Sequence, residues 1–202
     1  MDWLVDKSAL WKLPQSPDYA SWIDRINRGR VWVGLPTMLE VAVSSRDADH
    51  WPRLRGDLLA PLLILNATPR SEGIAVEIME ALIGARLHRS VSLPDVLIAA
   101  LAVEHRLTVL HDDHDFERIR SCTGTGRTSS VFGWHVNPVV GLAAPRYELE
   151  SGHQFRVERQ RGRRQRGDLI QGLVSALDRV HLQAQSGLRR RPPLSSGHRC
   201  SP

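Results

Sequence analysis

Cysteine is nearly absent: the 202 residues include two, Cys122 and Cys200. Two thiols so placed supply neither a disulfide framework nor the paired spacing of a structural zinc site. Long apolar runs are missing as well. None approaches the roughly 18 residues that a membrane span needs, so no helix is expected to cross a bilayer. The opening Met1-Asp2-Trp3-Leu4-Val5-Asp6 has no basic stretch followed by an apolar core, and is not expected to act as a secretory signal. Lysine disappears altogether from residues 127–202. With these classes set aside, the composition predicts a soluble, cytoplasmic chain. Its length suits one domain with an appendage and is ample for a real core.

The charge is unevenly spread. The whole chain carries a formal +5. Residues 1–126 hold 14 Lys and Arg against 17 Asp and Glu, a net of −3, whereas residues 127–202 hold 13 Arg against 5 acids, a net of +8. The sequence pI near 10.0 therefore describes the tail and not the part expected to fold.

Residues 1–126 alternate short apolar runs with helical patterns. Trp3-Leu4-Val5, Val31-Trp32-Val33, Leu62-Leu63-Ile64-Leu65 and Leu107-Thr108-Val109-Leu110 read as strands. Between them, Ser16 to Gly29, Pro36 to Val43, Asp49 to Ala60, Pro69 to His88 and Ser92 to Val103 carry helical spacing with capping residues at their starts. A last helix is expected through Phe116 and Ile119, capped by Asp112 or Asp113. Buried strands separated by helices predict an α/β fold of three layers, a central, mainly parallel sheet flanked by helices. Beyond Gly124 the periodicity fails. Residues 127–202 are expected to form an Arg-rich tail of low order, with a candidate edge strand near 130–135 and a candidate helix over 168–185. The same change of composition would arise if a GC-rich gene were read out of frame.

The acidic residues fall at informative places. Asp6 ends the first strand, Glu40 lies one turn into the helix after the second, Asp95 sits in the first turn of a helix, and Asp112, Asp113 and Asp115 follow the fourth strand. Loops leaving the carboxyl ends of parallel strands gather along one edge of the sheet. Acids brought together there repel one another unless a cation holds them, and carboxylate oxygens suit Mg²⁺ or Mn²⁺. Taken singly, each has an ordinary explanation: Asp6 as a helix cap, Asp95 as an acid favoured by the helix dipole, Glu40 as a solvated residue, the 112–115 run as a polar turn. The joint placement is what those explanations do not predict. Zinc at His111 and His114 lacks cysteine partners, and Cys122 lacks an activating neighbour. Most of the tryptophans are expected in the core, with one or two left exposed to line an apolar groove.

Four blocks carry a resemblance. Leu4-Val5-Asp6-Lys7-Ser8-Ala9, Leu39-Glu40-Val41, Leu93-Pro94-Asp95-Val96-Leu97-Ile98-Ala99-Ala100 and Val109-Leu110-His111-Asp112-Asp113-His114-Asp115-Phe116 together resemble the PIN-domain ribonucleases, most of all the VapC-type toxins of type II toxin–antitoxin modules. The resemblance spans residues 1–124. It implies an endoribonuclease dependent on Mg²⁺ or Mn²⁺, held in check by a cognate VapB-type antitoxin and expected to form a homodimer when free. By the same resemblance, Asp6, Glu40, Asp95, Asp113 and Asp115 are the catalytic acids. Asp6, Asp95 and Asp113 are the metal ligands, and Ser8 is the hydroxyl residue that follows the first acid. The implied reaction is in-line hydrolysis of an RNA phosphodiester that leaves 5′-phosphate and 3′-hydroxyl ends. Two alternatives differ in class: a degenerate, non-catalytic relative that binds antitoxin or RNA, and a metal-dependent nuclease acting on DNA.

Overall fold

The computed structural model describes residues 1–124, 127–130 and 171–179. Strand β1 (Trp3–Val5) is buried along its whole length, because it lies in the middle of the sheet with helices on both faces. Helices α1 (Lys7–Lys12) and α2 (Tyr19–Asn27) follow. Gly29, at φ 66°, turns the chain into β2 (Val31–Gly34) where a left-handed residue is needed. Helix α3 (Leu35–Val43) starts directly from β2 with Pro36 in its first turn. Helix α4 (His50–Leu54) runs into a π-helical turn, Arg55–Leu59, and then β3 (Leu63–Leu65).

Helix α5 (Pro69–Gly84) opens on a capping box: the Thr68 hydroxyl accepts from the Ser71 N–H, and the Ser71 hydroxyl accepts from the Thr68 N–H. The apolar pattern predicts this helix as far as His88. It stops at Gly84 because Arg86 takes a left-handed conformation, φ 60°. Helix α6 (Leu93–His105), strand β4 (Thr108–His111), helix α7 (Asp115–Thr123) and strand β5 (Arg127–Ser130) follow. Residues 171–179 form a further helix, α8.

The five strands are all parallel, in the order β3-β2-β1-β4-β5. The expected α/β architecture is therefore present. The edge strand expected near 130–135 pairs with β4 over residues 127–130 instead, so the sheet continues past residue 126; residues 131–135 lie outside the described residues. Alternation along the strands sends side chains to two cores. Trp3, Val5, Val31, Val33 and Leu110 pack with α1, α2 and α4 on one face, and Leu173 and Leu177 of α8 complete that cluster. Leu4, Leu65 and Val109 pack with α5, α6 and α7 on the other. Helix α8 thus falls inside the span 168–185 expected to be helical, and the remainder of that span is outside the described residues. No helix among the described residues is long and apolar enough to cross a membrane.

The described tryptophans belong to the cores or pack against them, as expected of most of them. Trp3 and Trp22 are buried, edge to face at 4.9 Å, with the Arg25 guanidinium over both rings. Trp11, Trp32 and Trp51 are half-buried and pack against the two cores, so none of the described tryptophans is fully exposed. The large apolar side chains that are exposed include Leu35, Leu39 and Val43 of α3 and Leu93 and Leu97 of α6, besides Met1, Ile64, Val76 and Ile83 elsewhere.

Candidate active site

The strand order reverses beside β1: the chain winds outward through β2 and β3, then returns to place β4 on the other side. The crevice at such a switch point, beyond the carboxyl ends of the strands, is where ligands bind in open parallel sheets. Asp6 follows β1 directly, and Asp112 and Asp113 follow β4. The Asp6 N–H donates to the Leu110 carbonyl at 2.9 Å, which fixes the two exits side by side. Helix α3 is tied to the same spot by the buried Thr37 hydroxyl, which donates to the Val5 carbonyl at 3.0 Å. Glu40, one turn further along α3, is near enough for the charges of Asp6 and Asp113 to act on it.

Each buried acid is held by a serine. Asp6, 4% exposed, caps α1: its Oδ2 accepts from the N–H and the hydroxyl of Ser8. The Ser8 hydroxyl in turn accepts from the Asp112 N–H at 2.9 Å, tying the loop after β4 to α1. Asp95, 5% exposed, is the third residue of α6. Its N–H donates to the Ser92 hydroxyl, and that hydroxyl lies 2.6 Å from its Oδ2 as donor. Sequence reasoning recognised Ser92 only as a cap; a serine three residues ahead of a buried acid was the available signal for its second task. Thr37 gave no signal of its role.

The acids influence one another electrically. Burial pushes the Asp95 carboxyl up to about 7; the Ser92 hydrogen bond pulls against this, and the charges of Asp6, Asp113 and Asp115 add to it. Glu40 is raised too, first by burial and then by Asp6, with Lys7 opposing and Asp113 adding. Its Oε2 is buried with no hydrogen-bond partner. Asp6, Glu40, Asp95 and Asp113 therefore share one electrostatic neighbourhood, although they come from four separate parts of the sequence. Asp115 stands at its rim, accepting from the Ser92 N–H at 3.1 Å and paired with Arg118. Asp112 is drawn aside by an ion pair with Lys12, which leaves Asp113 as the acid of that loop facing the others. The Asp113 N–H donates to Nδ1 of the buried His111 at 3.2 Å, so this histidine orients the loop.

Among the described residues, no group of three or more His, Cys, Asp or Glu stands close enough to form a ready-made metal cage. The donor set nonetheless fits a hard divalent cation. It is all oxygen, it includes an orphaned buried carboxylate oxygen, and its mutual repulsion is what such an ion would relieve. A small ion that keeps several of its waters needs only one or two carboxylates in direct contact.

The PIN domain model matches residues 4–121. The chain belongs to the PIN-domain family. Within it the likeness is to the VapC group. Ribonuclease VapC2 of Mycobacterium tuberculosis (strain CDC 1551 / Oshkosh) is 43% identical over 123 residues, which cover 60% of this chain and 87% of that protein. Ribonuclease VapC21 of Mycobacterium tuberculosis (strain ATCC 25618 / H37Rv) is 37% identical over 123 residues, 60% of this chain and 88% of the relative. Among solved structures, VapBC from Salmonella typhimurium bound to DNA superposes with a TM-score of 0.53 at 18% identity, over 65% of this chain and 98% of the other. VapBC2 from Rickettsia felis, bound to a DNA fragment from its promoter, gives 0.51 at 16% identity, over 64% and 98%. These two likenesses concern the fold. The chain is thus a VapC-type PIN-domain protein, as its four blocks imply.

Proposed function

We propose that this VapC-type chain is an endoribonuclease dependent on Mg²⁺ or Mn²⁺, the toxin half of a cytoplasmic two-protein module whose other half is a VapB-type antitoxin. The observation that carries this reading is the electrostatic neighbourhood of Asp6, Glu40, Asp95 and Asp113 at the switch point, in a chain 43% identical to a protein named as a ribonuclease. The names of the superposable VapBC complexes support an antitoxin partner.

In this reading Asp6, Asp95 and Asp113 would hold the cation, in part through its waters, and the ion would supply charge neutralisation at a phosphoryl oxygen and a lowered pKa for water. Ser8 and Ser92 fix the carboxylates of Asp6 and Asp95 so that little reorganisation remains when substrate arrives. Glu40, within electrostatic reach of Asp6, Asp113 and Lys7, would complete the anionic pocket, partly through water. Asp115 completes the negative rim and anchors the loop before α6.

A homodimer is part of the proposal. Leu35, Leu39 and Val43 recur every four residues on α3, and Leu93 and Leu97 do so on α6, so their exposed side chains form apolar stripes on two helices in contact. An uncharged face of this kind is self-complementary, as a two-fold interface requires.

The test is cleavage of RNA and of sequence-matched DNA by the purified chain, with Mg²⁺ or Mn²⁺ and with chelator. RNA alone should be cut, only with metal, and Asp95→Asn should lower the rate by about 100-fold or more. In cells, expression should arrest growth, and Asp6→Ala or Asp95→Ala should abolish the arrest. Arrest that persists in both variants would favour the non-catalytic binder, and cutting of DNA at a similar rate would favour the DNA nuclease.

A further inference from the structure

The run between β4 and α7, Asp112-Asp113-His114-Asp115, is fastened at both ends. At its start the Asp112 N–H donates to the Ser8 hydroxyl at 2.9 Å, and the Asp112 carboxylate pairs with Lys12 of α1. At its end the Asp115 carboxylate accepts from the Ser92 N–H at 3.1 Å through Oδ2 and pairs with Arg118 through Oδ1. The same Arg118 nitrogen donates to the Ser90 carbonyl at 3.1 Å. One side chain of α7 therefore grips both the end of the run and the segment that leads into α6. Ser8 and Ser92 are also the serines whose hydroxyls bond the buried carboxylates of Asp6 and Asp95. Each end of the run is thus one serine away from one buried acid. Asp113 lies between them, its Oδ1 accepting from the Asp115 N–H at 3.0 Å.

Resting on the reading of the crevice as a cation site, we propose that the ion pairs Lys12–Asp112 and Arg118–Asp115 are two struts that set the spacing of Asp6, Asp95 and Asp113. Asp112 and Asp115 are then positioning residues and not ligands of the crevice. Both oxygens of Asp115 are engaged, one by an amide and one by a guanidinium, so its charge is answered where it stands. Asp112 meets an ammonium in the same way. In each pair the acid is the sheltered member: the Asp112 and Asp115 side chains are 25% and 15% exposed, against 45% and 46% for Lys12 and Arg118. Pairs with so exposed a cation add little to the stability of a fold. Their leverage is on placement. A small divalent ion is exacting about ligand geometry, and the groups that hold its ligands matter nearly as much as the ligands themselves. Two serines alone would fix each buried carboxylate to its own helix; the fastened run fixes the two helices' acids relative to each other.

Charge and geometry predict opposite signs here. Removing a cation from beside an acidic crevice should tighten a divalent ion by Coulomb attraction alone, whereas removing a strut should loosen it. The experiment is calorimetric titration of Mn²⁺ into the full, chelator-treated chain, comparing wild type with Asp6→Asn, Arg118→Gln, Arg118→Lys and Lys12→Gln. Arg118→Gln and Lys12→Gln should each weaken Mn²⁺ binding about tenfold or more, with the metal-free Tm shifted by no more than about 4 °C. Arg118→Lys keeps the charge and loses the rigid fork, so it should recover part of the lost affinity. Unchanged or tighter binding in either glutamine variant, with Asp6→Asn still abolishing it, would overturn the struts and leave the cation site standing. Loss of binding together with the folded circular dichroism would overturn them too, making the pairs plain structural ties. A wild type that takes up no Mn²⁺, or binding undiminished in Asp6→Asn, would remove the cation reading itself and the struts with it.

Discussion

Two influences act on Asp95 in opposite directions: the Ser92 hydroxyl stabilises its charge, while burial and three other acids oppose it. The second influence wins, and the folded carboxyl titrates at about 7 against an ordinary 3.8. Between these values the folded chain keeps a proton that the unfolded chain has released. The stability that this proton confers is complete below pH 4 and is lost as the pH rises through 7. At about 1.4 kcal/mol per unit over about three units, the loss amounts to about 4 kcal/mol in metal-free protein. Glu40, raised for the same first reason, adds in the same sense. His111 works the other way: burial lowers its pKa, so below about 6.5 the unfolded chain takes up a proton that the folded chain resists. Comparison with Asp95→Asn isolates the acid. Chelated wild type should lose more thermal stability between pH 5 and pH 8 than the variant, and equal losses would refute the assignment. Ser92→Ala tests the opposing influence. It removes an N-cap at about 1 kcal/mol and a hydrogen bond to the charged form, so urea melts should show the destabilisation and an NMR titration should show Asp95 moving further upward.

At the scale of elements, the four main strands were legible to within a residue, since a parallel strand covered on both faces is a short unbroken apolar run. The helices were legible where caps and spacing agreed. Helix α3 shows what stayed hidden. Its Leu-Pro-Thr-Met-Leu-Glu-Val-Ala-Val is apolar nearly all round, so periodicity could not tell which side faces the protein. Thr37 is fully buried while Leu35, Leu39 and Val43 are exposed, an inversion of hydropathy explained by the Thr37 hydrogen bond to Val5. Residue pattern alone left Asp112, Asp113 and Asp115 open, and only the resemblance singled out Asp113 and Asp115; the structure adds a reason to set Asp112 aside, its ion pair with Lys12, a hundred residues away. The α3 stripe carries its own prediction. Leu39→Glu alters a side chain already 56% exposed, so monomer stability should change by no more than about 0.5 kcal/mol. Placed in a self-complementary face, however, the new charges meet across the two-fold and repel. Sedimentation should show a wild-type dimer and a variant monomer with unchanged circular dichroism, and a dimer that survives the substitution would move the interface elsewhere.

For the molecule as a whole, the winding order that divides the core in two also determines where negative charge accumulates. A sheet that runs outward from β1 and then returns beside it leaves one crevice where the exits of β1 and β4 adjoin, and helices α3 and α6 each add an acid to it. The sequence revealed the participants because they follow recognisable elements, but their mutual repulsion is a property of the folded chain alone. If the crevice holds a cation as proposed, that repulsion would make cation binding a measurable part of folding. A ligand bound only by the folded state stabilises it by about 2.7 kcal/mol at a hundred times its dissociation constant, which for a chain of this size is about 5–10 °C in Tm. Millimolar Mg²⁺ or Mn²⁺ should therefore raise the Tm of chelator-treated protein. The rise should be larger at pH 8, where Asp95 is ionised, than at pH 5, where a proton competes for the same oxygens. Asp6→Asn and Asp95→Asn should each remove most of the rise, because each takes a ligand and a share of the repulsion from the crevice. Differential scanning calorimetry across these conditions decides the matter without any assay of activity: a rise independent of pH, or one undiminished in both variants, would place the cation somewhere other than the switch point.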